Sequence, residues 1–251
     1  MTHLLNPKII RINNFCCLWI PVIWWSICYA IWLSRGCKPF LPLISEFDSW
    51  NPESTVFTTG VTITAMTMLL RIVQLHQMQK NKIAKLQLTR KWSTLNHLTL
   101  MPGLIAILSV GALAHVPWNR EIVLHMKLAK AIFEWGTLWC VLMTCLSWKF
   151  TEQEPLLLKA LKLRFIGSAL TAIGLIGITL TAVPIFRNNP GYIAQRIEMS
   201  LTEPMLFCTH SPKPEMTQGA AFEWLLVIGM LFVSWTFNAD LRQKHSPRSE
   251  N

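Results

Sequence analysis

Six polar side chains stand where the sequence is otherwise apolar: Arg71, His76, Asn96, His97, Glu134 and Glu223. A charged group inside a hydrocarbon layer is costly, so such residues mark ion or proton paths, ligand sites or mutually neutralising pairs. Arg71 and His76 fall in the inner half of one apolar run, and Asn96 and His97 near the inner end of the next. If the two runs cross a membrane in opposite directions, the four share a depth and one hydrogen-bonded cluster is expected. A second reading has Arg71 snorkelling toward headgroups. Glu134 follows Lys130 by four residues, which permits an ion pair on one helix face, though in the less favourable order. Glu223 is expected near the outer end of the last apolar run. It either faces a ligand there or sits on the positive end of a helix dipole.

Other chemistry has little support. The seven histidines are at 3, 76, 97, 115, 125, 210 and 245, so no two are three to five apart and no H-E-x-x-H occurs. Metal sites in helices need such spacing. There is no G-x-S-x-G, P-loop or G-x-G-x-x-G, so no catalytic residue, metal or cofactor is assigned and an enzyme is not expected. Gly167, Gly174 and Gly177 give one run a small face, which points to close helix packing.

The elements that must position these residues are membrane spans. The chain is 52% hydrophobic and only 14% charged, with a mean hydropathy of +0.37. Soluble domains carry about 25% charged residues. A span needs about 20 mostly apolar residues. Six segments qualify, at about 15–34, 56–78, 94–114, 126–148, 163–185 and 220–239, with short gaps. The expected fold is therefore all-α, a polytopic six-transmembrane-helix bundle forming one domain over 1–251. The first run is too long and too aromatic for a cleaved leader.

Lys and Arg are uneven across the loops. Lys8, Arg11, Lys80, Lys82, Lys85, Arg90, Lys91, Lys149, Lys159, Lys162, Arg164, Arg242, Lys244 and Arg248 fall on one side, and Arg35, Lys38, Arg120, Arg187, Arg196 and Lys213 on the other. The positive-inside rule then expects both termini in the cytoplasm. The net charge of +10 flanks apolar runs rather than forming one stripe. Anionic lipid is its natural partner, and nucleic acid is not.

The stretch "KPFLPLISEFDSWNPES", residues 38–54, fits no span. Asn51, Pro52 and Glu53 read as a helix start, with Asn51 as N-cap and Pro52 in the first turn. The first half is stiff and apolar, since each proline holds its predecessor extended. It is expected to pack on the outer helix ends. Of the seven cysteines, only Cys37 and Cys208 fall on the outer side. They form either a disulfide or two free thiols. Glu152 with Leu156 and Leu157 has the form of an acidic dileucine sorting signal for adaptor complexes. The alternative is the start of an interfacial helix. No N-x-S/T sequon occurs.

Pro39, Phe40, Pro42, Ile44 and Ser45, then Pro52, Glu53 and Ser54 followed by Phe57, resemble the first lumenal loop of the DRAM family, the damage-regulated autophagy modulators. That family belongs to a wider six-span Frag/DRAM/Sfk group. Glu223, Trp224, Thr236, Phe237 and Asp240 resemble the same family's last span. The middle of the loop, "EFDSW", and the long fifth loop depart from the pattern. The resemblance implies a non-enzymatic multi-pass regulator of endomembrane, lysosome-autophagy or plasma-membrane lipid signalling. It would act through membrane lipids, other membrane proteins or adaptor complexes, in lysosomal, endosomal or plasma membrane. A lipid-handling role related to GPI-anchor lipid remodelling is an alternative, with Glu53, Glu223 and the apolar loop facing a lipid. A channel or transporter built on Arg71, His76 and His97 is another.

Overall fold

The structure is a computed structural model that describes residues 5–238. Six of its helices are long and apolar enough to cross a membrane: α1 (Pro7–Ser34), α2 (Glu53–Lys85), α3 (Arg90–Leu113), α4 (Ile122–Thr151), α5 (Leu158–Asn188) and, after two short helices, α8 (Pro214–Thr236). The chain is an all-α integral membrane protein with six spans. Each helix starts before its apolar run, because local signals extend it. At α1 the Asn6 side chain accepts the Lys8 N–H at 2.9 Å and Pro7 takes the first position, where its missing N–H costs nothing.

Two of the sequence expectations need correction. Asn51 does not cap α2. The N-cap is Pro52, and the free N–H groups of Ser54 and Val56 reach the carbonyls of Trp50 and Pro52 instead. Asn51 accepts the Thr55 hydroxyl at 2.9 Å. The long fifth loop is also not a loop. It forms α6 (Pro190–Thr202) and α7 (Pro204–Thr209), each opened by a proline.

In the bundle α1 packs on α2, α2 on α3 and α3 on α4, while α5 pairs with α8. The α5–α8 pair is close because glycine faces backbone. A Cβ on Gly174 would lie 2.7 Å from the Leu226 nitrogen, and one on Gly229 2.9 Å from the Gly167 carbonyl oxygen. Small residues of this kind let membrane helices approach without a hydrophobic driving force. The α4 and α5 helices meet through Thr144–Ser168 (2.9 Å) and Arg164–Ser147 (2.8 Å).

The first turns of α1 and the last turn of α8 line a common pocket, so the start of α1 and the end of α8 lie at one end of the bundle. The opposite end is covered by residues 35–52, the α3–α4 turn and α6–α7. We call these the terminal end and the capped end.

Candidate functional site

The cap is built on tryptophans and backbone carbonyls. Residues 44–48 form one 3-10 turn, and its Glu46, Phe47 and Asp48 are buried. Phe47 and Phe40 pack edge-on against Trp32, which is itself stacked with Trp50. Such pairs add stability beyond area burial. Trp224 donates to the Pro42 carbonyl at 2.9 Å, Trp32 to Lys38 at 3.0 Å and Trp118 to the Ser49 hydroxyl at 3.1 Å. The prolines hold this segment extended, and its carbonyls accept both from indole N–H groups and from its own chain, Lys38 from the Phe40 N–H at 2.9 Å and Leu43 from the Glu46 N–H at 3.0 Å. Pro42 is buried, while Pro39 and Pro52 are exposed.

Charge locks the cap in place. Glu46 lies 2.7 Å from Arg196 of α6, and both side chains are buried. Glu46 also accepts the Leu43 N–H at 3.0 Å. Arg196 donates to the carbonyls of Phe207 and His210 and lies 3.8 Å over the Phe207 ring. The pair is therefore hydrogen-bonded on every side, as a buried pair must be. Cys37 and Cys208 form a disulfide, with Lys38 N–H on the Cys208 carbonyl at 3.2 Å. Asp48 accepts the Ser54 hydroxyl at 2.7 Å. Burial pushes its carboxyl up to about 6, against the opposing pull of that bond and of Arg120 and His115.

Beneath the cap lies an apolar cavity of about 190 Å³ among α1, α2, α3, α4 and α8. It extends from Ser45 and Glu223 down to Arg71 and Ser234. Glu223 and Ser234 are eleven residues apart on α8, about 16 Å along a helix. A second space, a groove of about 440 Å³, opens sideways between the capped halves of α4 and α5. Ser45, His125, Ala129, Phe133 and Glu223 line both, so the cavity and the groove meet there.

The junction holds the polar groups. Glu223 Oε2 accepts the Ile44 N–H at 2.9 Å. His125 Nδ1 is 2.7 Å from the Val116 carbonyl, which places the proton on Nδ1 and leaves Nε2 as an acceptor. The Trp25 indole N–H is buried in the cavity wall with no partner. An apolar pocket with a few convergent polar groups is the usual form of a small-molecule or lipid site.

Several of the residues singled out from sequence take other places. Glu223 is ten residues into α8, beyond the reach of the helix dipole; Glu215 occupies the first turn instead. Glu53 does not face the cavity. It is buried and lies 3.3 Å from Arg35, the residue that closes α1. Arg71 does not snorkel: it is fully buried and donates to the Ser234 carbonyl of α8 at 3.4 Å.

His76, Asn96 and His97 do come together, without Arg71. His76 and Asn96 exchange bonds at 3.1 Å with each other's backbone carbonyls, and the two imidazoles are 5.1 Å apart. Arg71 is five residues before His76, on another face of α2. Lys130 and Glu134 pair at 3.7 Å on the exposed face of α4, at the edge of the groove. Glu152 pairs with Lys149. Leu156 is exposed, but Leu157 is 1% exposed and packs with Ile83, Leu146 and Phe150. The dileucine is therefore not displayed as a pair, because its second member anchors the start of α5. Asp240 lies outside the described residues.

Sequence reasoning missed Glu46, Asp48, Arg196, His125 and Trp25. "EFDSW" departs from the family pattern, yet its Glu46, Phe47 and Asp48 are all buried in the cap. Its one available signal was a pair of acids spaced two apart among bulky aromatics.

The chain matches the family described as Frag1/DRAM/Sfk1/Cwh43P N-terminal domain over residues 13–244. The search of curated proteins and the search of solved structures each returned no match. The matched stretch takes in all six spans, the cap and the junction at Glu223, and the chain belongs to the Frag1/DRAM/Sfk1 family.

Proposed function

We propose that this protein is a non-enzymatic, DRAM-like regulator of lysosomal, endosomal or plasma-membrane lipid signalling, and that it works by holding a membrane lipid in the bundle. One observation carries the reading: an apolar cavity inside the spans joins a lateral groove facing the bilayer, and a buried carboxylate stands at the junction. One acyl chain enters through the groove and lies along α8, with its polar end at Glu223, Ser45 and His125. The uneven Lys and Arg distribution supports a cytoplasmic terminal end, and the cap then lies in the lumen or outside the cell. There the Cys37–Cys208 bond is chemically at home.

The test is purification in mild detergent and native mass spectrometry for retained lipid. The wild type is expected to keep lipid, and Ala129→Trp, which fills the junction, to lose it while remaining monodisperse. A wild type free of lipid, or equal retention by the variant, overturns the reading.

A further inference from the structure

The two asparagines at the start of α1 are treated very differently. Asn13 is buried and satisfied: its amide donates to the Thr67 carbonyl and the Gln74 side chain of α2, both at 3.1 Å. Asn14 is as well buried, at 2% exposure, yet neither its amide nitrogen nor its oxygen has a hydrogen-bond partner. Orphaned side-chain amides are rare in native interiors and call for an explanation such as a ligand. Asn14 is in the wall of a pocket of about 340 Å³ between α1 and α8 at the terminal end. Arg11 stands one turn before it in the same wall, exposed and without an ion pair among the described residues. Trp19 and Trp235, both exposed, stand at the rim, and Phe15, Leu18 and the half-buried Asn238 complete the lining.

We propose that this pocket binds the headgroup of an anionic phospholipid that carries a free hydroxyl. The chemistry follows from the two side chains. The Arg11 guanidinium donates to phosphate oxygens, the stronger charge-assisted kind of bond. The Asn14 amide offers one donor face and one acceptor. The donor adds to the phosphate, and the acceptor needs a ligand O–H. A methyl phosphodiester headgroup has no O–H and leaves the acceptor empty, and a choline headgroup leaves it empty while adding a cation beside Arg11.

The pocket's place agrees. Indole rings at the rim are suited to the membrane interface. Lys8, Lys80 and Lys85, all exposed, extend from the same end of the bundle and favour an anionic leaflet. This site is separate from the junction at Glu223, which lies at the capped end, and it does not depend on what fills that cavity.

The test uses the full chain in phosphatidylcholine nanodiscs doped with phosphatidylglycerol or phosphatidylmethanol, with bound lipid counted by native mass spectrometry. The expected result is that phosphatidylglycerol is retained about tenfold or more over phosphatidylmethanol, an anionic diester with no hydroxyl, since a site built for a hydroxyl rejects an analogue lacking it. Arg11→Gln removes the preference for both anionic lipids over phosphatidylcholine. Asn14→Leu reduces phosphatidylglycerol to the level of phosphatidylmethanol. It leaves the melting temperature in pure phosphatidylcholine level with wild type or above it, because Asn14 has no bond to lose. Equal retention of the two anionic lipids by the wild type, or an unchanged preference in Asn14→Leu, overturns the proposal. A soluble arm with glycerol 3-phosphate separates the sources: binding of the chainless compound as tight as that of the lipid reassigns the pocket to a free phosphate ester.

Discussion

Glu46 and Arg196 are 150 residues apart in sequence and 2.7 Å apart in space, with almost no solvent access to either. This contact joins the 3-10 turn of the cap to α6. Removing one partner strands a buried charge, which costs about 3–5 kcal/mol. Arg196→Ala is expected to reach that range, because it also strips donors from the Phe207 and His210 carbonyls. The double change Glu46→Leu with Arg196→Met is expected to recover most of the loss. Thermal unfolding in detergent compares the three, and a double variant no better than the single one removes the pair from its central role.

Gly174 and Gly191 make a matched test of close packing. A methyl at 174 meets Leu226 backbone at 2.7–2.8 Å, whereas one at 191 meets nothing within 4 Å. Gly174→Ala is expected to cost about 1–3 kcal/mol by overpacking. Gly191→Ala is expected to leave the stability within about half a kcal/mol of wild type. Equal effects would detach stability from the α5–α8 contact.

Asp48 gives the cap a pH dependence of known sign. Its folded carboxyl is raised to about 6 from 3.8, chiefly by burial. The folded state therefore holds this proton more tightly than the unfolded chain. Its contribution to stability is full below about pH 4 and falls away as pH rises through about 6. Asp48→Asn keeps an acceptor for Ser54 and removes the titration. The variant is expected to melt above wild type at about pH 8 and level with it at about pH 4. A constant difference across that interval rules out Asp48 as the source.

Leu156 and Leu157 differ in environment despite being neighbours, at 85% and 1% exposure. Leu157→Ala is expected to cost about 2–5 kcal/mol through the cavity it leaves, and Leu156→Ala close to nothing. If intact, stably folded Leu156→Ala nevertheless moves the protein to the cell surface, the exposed leucine is read by sorting machinery after all.

The spans were legible because hydrocarbon thickness sets a minimum run of apolar residues, and six runs meet it. The pairing of Cys37 with Cys208 had few competitors, since the other cysteines fall within or beside spans. The helices α6 and α7 were not legible. They are short, and each begins at a proline that also reads as a loop signal. The Glu46–Arg196 contact depends on where α6 returns across the bundle, which no local pattern encodes. The direction taken by Arg71 likewise depends on α8, more than 160 residues later. Glu223 stood out in the sequence as an acid in an apolar run. That it sits where two cavities join is a property of the helix arrangement.

The disulfide closes a covalent ring over residues 37–208, which contains α2, α3, α4 and α5. Helices α1 and α8 are tails that branch from one knot at the capped end. A single backbone cut anywhere inside the ring therefore leaves the polypeptide one molecule, and a cut in either tail releases a fragment. The tails supply Trp25 and Glu223 to the cavity roof. The ring holds four spans as one unit, and the walls that close the cavity around it are joined to that unit covalently at a single place.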